Sequence, residues 1–220
     1  MHPGWMQEAG GQIGAANRKS QKRRGTKTAG MLLIKERGKW TRKNGSGIPE
    51  GFSGKLLEIP VGTGVLTMPL YRRLPKAQIT CVDYAPEMLE RAQRQGKELS
   101  NVRFQQGDVG DLPFQDGSFD GVLSLNGFHA FPDKEAAWKE VFRVLKPGGT
   151  FCGCFYVQGK NRRTDWLIRQ VYVKKGFFTP PFETGESLQL RLERTFGSAK
   201  VSTVQSIASF VCKKEKTEYR

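Results

Sequence analysis

Leu57-Glu58-Ile59-Pro60-Val61-Gly62-Thr63-Gly64 reads as an apolar strand closed by an acidic residue and followed by a glycine turn. A helical stretch is predicted next, over 65–73. Gly62 and Gly64 let the backbone approach a ligand without a Cβ in the way. The turn between a strand and a helix is where open α/β sheets bind nucleotide-like ligands. Taken alone, the turn is equally compatible with close helix–strand packing.

Downstream, apolar strand-like runs alternate with helical ones. Further strands are predicted at 79–82, 102–106, 119–125 and 151–157. A helix opening at Pro86 is predicted to run to about 97, with Met88, Leu89 and Ala92 at helical spacing. Asp133 is placed to cap another helix, whose apolar face carries Trp138, Val141, Phe142 and Leu145, with Pro147-Gly148-Gly149 as its stop. Two more helices are predicted at about 164–175 and 184–195, around the Pro180-Pro181 loop. Two final runs, about 200–206 and 208–213, are close enough to form an antiparallel pair. Strands alternating with helices imply a parallel sheet wrapped on both faces by right-handed connections. The expected architecture is α/β, mostly parallel and seven-stranded, with a C-terminal antiparallel hairpin.

Charge divides the chain. Its 220 residues carry 36 Lys and Arg against 21 Asp and Glu, a net charge of +15. Residues 1–47 hold eleven of the basic residues and two glutamates, a net of +9. That segment is rich in Gly, Gln, Lys and Arg and lacks apolar periodicity. It is expected to be a basic, disordered arm ahead of a domain at 48–220. As a solvated tail it has no function; as a docking arm it would hold RNA or another polyanion through counterion release. No aromatic residue interleaves the basic run 18–27, so base stacking has no platform there. No run approaches the roughly 20 apolar residues that span a bilayer, and no secretory signal is visible. Cys81, Cys152, Cys154 and Cys212 fit neither a zinc pattern nor a disulfide framework, and no metal site is expected. Buried thiols in a reducing cytoplasm are the expectation.

Two further acidic positions join Glu58 at the same edge of the predicted sheet. Asp83 closes the second strand, where a carboxylate can accept both hydroxyl protons of a ribose; capping of the helix at Pro86 is a compatible role. Asp108 follows the third strand, where it could accept from an adenine amino group. Asp111, Asp116 and Asp120 read as turn and solvent residues.

On these residues the chain resembles class I S-adenosylmethionine-dependent methyltransferases, in particular the group that includes quinone-biosynthesis C-methyltransferases. The resemblance rests on four segments in order: the glycine turn after Glu58; Cys81-Val82-Asp83-Tyr84-Ala85-Pro86-Glu87-Met88-Leu89; the run from Gly107 to Asp120; and Val144-Leu145-Lys146-Pro147-Gly148-Gly149. It covers about 54–157 and implies a Rossmann-like, doubly wound fold with S-adenosylmethionine as cofactor. It implies that Glu58, Pro60, Gly62 and Gly64 hold the methionine moiety. Asp83 would bind the ribose, Tyr84 and Met88 would lie beside the adenosine, and Asp108 and Val109 would contact adenine. Asn126 and Gly127 would line the methyl-donor end, with Phe128, His129 and Phe131 facing the acceptor. The chain departs from the family in carrying Pro60 where most members have glycine, and in lacking a recognisable N-terminal helical lid.

Methyl transfer from a sulfonium needs no protein nucleophile. For an oxygen or nitrogen acceptor, His129 is the best-placed general base; its Phe neighbours equally suit a structural role. A small-molecule acceptor is expected. An RNA methyltransferase docked by the basic arm and a catalytically lapsed, cofactor-binding interaction protein are the alternatives. A nicotinamide dehydrogenase is disfavoured, because the glycine spacing is not G-x-G-x-x-G.

Overall fold

The computed structural model describes residues 47–49 and 51–215; the expected basic arm, Gly47 apart, lies outside them. Among the described residues, seven strands form one sheet in the order β3-β2-β1-β4-β5-β7-β6. They are β1 (Lys55–Glu58), β2 (Gln78–Asp83), β3 (Val102–Gln106), β4 (Phe119–Leu125), β5 (Leu145–Tyr156), β6 (Gly197–Val204) and β7 (Ile207–Lys214). The first five pair in parallel, and β7 runs antiparallel to both β5 and β6. The expected parallel sheet with a closing hairpin is therefore present.

Side chains alternate across this sheet and divide the core in two. Leu57, Val122, Phe151 and Phe155 face the layer made by α3 (Lys134–Val144) and α5 (Gly185–Phe196), where Trp138, Val141, Leu188 and Phe196 are buried. Leu56, Ile79, Cys81, Cys152 and Cys154 face the other layer, which contains α1 (Met68–Tyr71) and α2 (Pro86–Gly96). Central strands covered on both faces explain their near-continuous apolar character. All four cysteines are buried and unbridged.

Several local expectations change. The helix expected over 65–73 shortens to α1, because Pro69 lacks the N–H that would continue the ladder back to Val65. Leu145 belongs to β5 rather than to the preceding helix. That strand starts directly after Val144 and carries Pro147-Gly148-Gly149 through a register shift opposite Phe119 and Gly121. The next helix, α4 (Arg162–Leu167), passes into a π-helical turn over Ile168–Val173. Thr184 and Ser187 form a capping box on α5. The β6–β7 turn is Gln205-Ser206, with Gln205 at φ 53°. Asp133 caps α3 as expected, accepting from Ala136 N at 2.9 Å. No helix among the described residues is long and apolar enough to cross a membrane.

Candidate active site at the carboxyl edge of the sheet

The strand order reverses at β1, whose neighbours are β2 on one side and β4 on the other. Such a switch point opens a crevice beyond the carboxyl ends of the strands. Four polar residues stand there on adjacent strands: Asp108 just after β3, Asp83 at the end of β2, Glu58 at the end of β1 and Asn126 just after β4.

The glycine loop turns through positive φ at Gly62 (56°) and Gly64 (68°). A Cβ at Gly64 would lie 3.2 Å from the Ala92 Cα, so glycine is needed there for the loop to rest on α2. At Gly62 a Cβ would meet nothing within 4 Å. The loop borders a cleft of about 200 Å³, lined also by Glu58, Leu125 and Asn126.

Glu58 is 1% exposed. Its Oε2 accepts from the Tyr71 hydroxyl at 2.7 Å and from the Cys81 thiol at 3.5 Å. Burial pushes its carboxyl up from the usual 4.5 to about 8, against the pull of these donors. The adjoining Tyr71 hydroxyl and Cys81 thiol are driven upward as well, by burial and then by Glu58 itself. Asp83 is also buried, which raises its pKa, while N–H groups accepted from Ala85 and Gly62 oppose the rise. The second of these bonds ties β2 to the glycine loop. Asp83 does not cap α2: the N-cap is Ala85, and no side chain fills that role.

Gly107 N donates to the Asp83 carbonyl at 3.1 Å, which sets Asp108 and Val109 beside the end of β2. Asp108 Oδ1 accepts from Gly110 N at 2.8 Å, and Val109 is buried. The following loop is held from α3. Arg143 donates to the carbonyls of Leu112 and Phe114 and to Asp116 and Glu140, while Glu140 accepts from Leu112 N. Tyr84 is half-buried, and Met88 is buried on α2.

Beyond β4, Asn126 has φ 58°, and its N–H donates to the Cys154 carbonyl at 2.6 Å. A Cβ on Gly127 would come within 2.4 Å of Pro60 Cδ and 2.5 Å of Phe131 Cζ. The Pro60 ring therefore occupies the space beside Gly127. Phe128 is fully buried and stacks on Trp138 with centroids 3.9 Å apart; Phe131 meets Phe128 edge-on at 5.1 Å. The His129 ring stacks on Phe178 at 4.0 Å, and its Nδ1 lies 3.4 Å from Tyr156 N.

Some of the residues singled out from the sequence line one of two spaces, while Asp83, Tyr84, Met88, Asp108, Val109, Gly127 and Phe131 line neither. Glu58, Pro60, Gly62, Gly64 and Asn126 line the cleft. Phe128 and His129 line a separate cavity of about 10 Å³, with room for about one water, alongside Lys134, Trp138, Tyr156 and Phe182. The roof of this cavity is strapped down: Thr179 N donates to the His129 carbonyl, and Lys134 Nζ donates to the carbonyls of Thr179 and Phe131. Burial lowers the Lys134 pKa. Sequence reasoning missed Tyr71 and Cys81 as partners of Glu58, and Lys134 as the strap. Only the placement of Cys81 two residues before Asp83, on the inward side of β2, carried a signal.

A doubly wound sheet with acidic residues at the ends of β1 and β2 and just after β3 is a frame open to a nucleoside-like ligand. The chain matches, over residues 56–149, a family model described as a methyltransferase domain. It is 39% identical over 112 residues to a demethylmenaquinone methyltransferase of Thermus thermophilus, covering 50% of this chain and 51% of that protein. It is 34% identical over 115 residues to the chloroplastic 2-methyl-6-phytyl-1,4-hydroquinone methyltransferase 2 of Oryza sativa subsp. japonica, covering 52% and 32%. The chain thus spans about half or less of the curated relatives it matches. Among solved structures it resembles a methyltransferase from Thermotoga maritima described as a possible histamine N-methyltransferase, with 21% identity, a TM-score of 0.61 and coverage of 83% and 96%. It also resembles a possible exported protein from Bordetella parapertussis, with 17% identity, a TM-score of 0.69 and coverage of 85% and 70%. At these identities the likeness is one of fold.

Proposed function

We propose that this protein transfers the methyl group of S-adenosylmethionine, by in-line displacement, to a small-molecule acceptor. A quinol-like ring is the first class to test. The observation that carries the reading is the row of Asp108, Asp83, Glu58 and Asn126 on four adjacent strand ends, beside the glycine cleft. The residues suit the cofactor: the space above Gly62 is open, and two buried carboxyl groups flank the loop.

When bound, the cofactor supplies an electrophilic methyl on a sulfonium. The chain's own work is to bind, orient and exclude water. In this reading Glu58, Pro60, Gly62 and Gly64 hold the methionine end and Asp83 accepts the ribose hydroxyls. Tyr84 and Met88 flank the adenosine, while Asp108 and Val109 meet the adenine. Asn126 and Gly127 border the reacting methyl. Phe128, His129 and Phe131 form the wall toward the acceptor, and aromatic faces of this kind suit a flat ring. The relatives, a demethylmenaquinone methyltransferase and a 2-methyl-6-phytyl-1,4-hydroquinone methyltransferase, support a ring acceptor.

Calorimetric titration with S-adenosylmethionine and S-adenosylhomocysteine tests the cofactor site, and a methylation screen of quinols and then RNA tests the acceptor. Micromolar binding of either nucleoside is expected. Absence of binding by a folded sample would overturn the enzymatic reading in favour of a lapsed one. Methylation of RNA but of no small molecule would overturn the acceptor class.

A further inference from the structure

The segment packed behind Tyr156 and Phe182, two residues that line the small cavity, turns an unusual outer face to solvent. Between residues 160 and 175 it carries six basic residues (Lys160, Arg162, Arg163, Arg169, Lys174 and Lys175) and a single carboxylate, Asp165. Asp165 is engaged inward, accepting from the Tyr156 hydroxyl at 2.7 Å and from Gly159 N at 2.9 Å. Lys160 is paired with Glu186. Among the described residues no carboxylate pairs with Arg162, Arg163, Arg169, Lys174 or Lys175. In their midst Trp166 is 64% exposed, the most exposed large apolar side chain among the described residues. On the helix, Arg162 and Arg163 precede it by four and three residues and Arg169 follows by three, so all border the indole on one face. The opposite face buries Ile168 against Tyr156, Phe178 and Phe182.

We propose that this face docks on an anionic phospholipid surface, with Trp166 seated at the headgroup level and the cations around it on lipid phosphates. An indole ringed by Lys and Arg is the composition that interfacial sites select. Clusters of this size draw proteins to acidic leaflets. A single-stranded nucleic acid fits less well, because it calls for several stacking aromatics, whereas this face offers one exposed indole. The inference deepens the proposed function and rests on it for the acceptor. The docked helix packs through Ile168 on the aromatic cluster of Tyr156, Phe178 and Phe182 beside His129, which brings an acceptor with an apolar tail close to that cluster when the face is docked.

The test uses the full chain and vesicles of phosphatidylcholine, with and without phosphatidylglycerol. Cosedimentation is expected only with the anionic vesicles, accompanied by a blue shift of tryptophan emission that Trp166→Ala removes. Arg162→Glu with Arg163→Glu should weaken the partition about tenfold or more. Binding of S-adenosylhomocysteine in solution should be unchanged in these variants, so failure on vesicles is distinguishable from failure of the cofactor site. Equal binding by the charge-reversed chain would overturn the proposal, placing any attraction elsewhere, as would an emission shift that persists in Trp166→Ala. Loss of affinity for single-stranded RNA in these variants, without vesicle binding by the parent chain, would overturn it in favour of nucleic acid.

Discussion

Oδ2 of Asp83 accepts the amide proton of Gly62 at 2.7 Å, so the carboxylate assigned to the ribose also holds the glycine loop in place. Its removal takes away two functions at once. Asp83→Ala is expected to weaken S-adenosylhomocysteine binding by roughly ten- to a hundredfold, the worth of charge-assisted hydrogen bonds. The far-ultraviolet circular dichroism should stay unchanged. Asp83→Asn, which keeps one acceptor oxygen, should fall between. Affinity within about threefold of the parent protein in Asp83→Ala would refute the ribose assignment.

Gly127 is packed against Pro60. In Gly127→Ala the new methyl would lie 2.4 Å from Pro60 Cδ and 2.5 Å from Phe131 Cζ. Overpacking of this kind costs about 1–3 kcal/mol, readable in urea denaturation. Pro60→Gly in the same background should recover part of the loss, because one of the two clashes disappears. A cycle of the four proteins showing additive effects would mean that the contact does not matter.

Glu58 gives the protein a pH dependence of uncommon direction. Its carboxyl titrates near 4.5 when unfolded and about 8 when folded. Between those values the folded state keeps a proton that the unfolded chain has released. The stabilising contribution is thus complete below about pH 4.5 and is lost as pH rises toward 8. Denaturation at pH 6 and pH 8 should show this loss. Glu58→Gln, whose carbonyl can still accept from Tyr71, should flatten the difference and leave the protein more stable than its parent at pH 8. An unaltered pH slope in the variant would assign the dependence to other groups.

Arg143 reaches the carbonyls of Leu112 and Phe114 from α3, and so steadies the loop that follows Asp108. Arg143→Ala should speed hydrogen exchange of the amides at 110–114 and weaken nucleoside binding several-fold, while the sheet amides keep their protection. Unchanged exchange in that loop would show that Glu140 alone suffices.

The sheet was legible because its signals are local. The Asp133 cap, the alternation of strand and helix, and the near-contiguous final hairpin each sit within a few residues of sequence. So were the acidic positions at the ends of three strands, since strand ends follow from composition. The pairing of Glu58 with Tyr71 was not legible. It depends on where Pro69 shortens α1 and how that helix then faces β1. The fit of Pro60 against Gly127 joins two loops separated by β2, β3 and β4, and no periodicity encodes such a distance. Leu145 misled because its spacing continues the apolar face of α3, while its backbone already belongs to β5. The covering of His129 by the 177–184 segment was not legible either, because that segment is held by contacts with Ala130, Lys134 and Tyr156 that lie far away in sequence.

The strap across that cavity bears on the timing of events. The cleft beside Glu58 already has volume, whereas the space beside His129 has room for about one water while Thr179 holds the His129 carbonyl and Lys134 holds Thr179. Under the proposed function, the nucleoside enters without rearrangement and the second ligand waits for the strap to open. The two substrates would then add in a compulsory sequence, with the gate controlled by a lysine and a threonine that take no part in the methyl transfer itself.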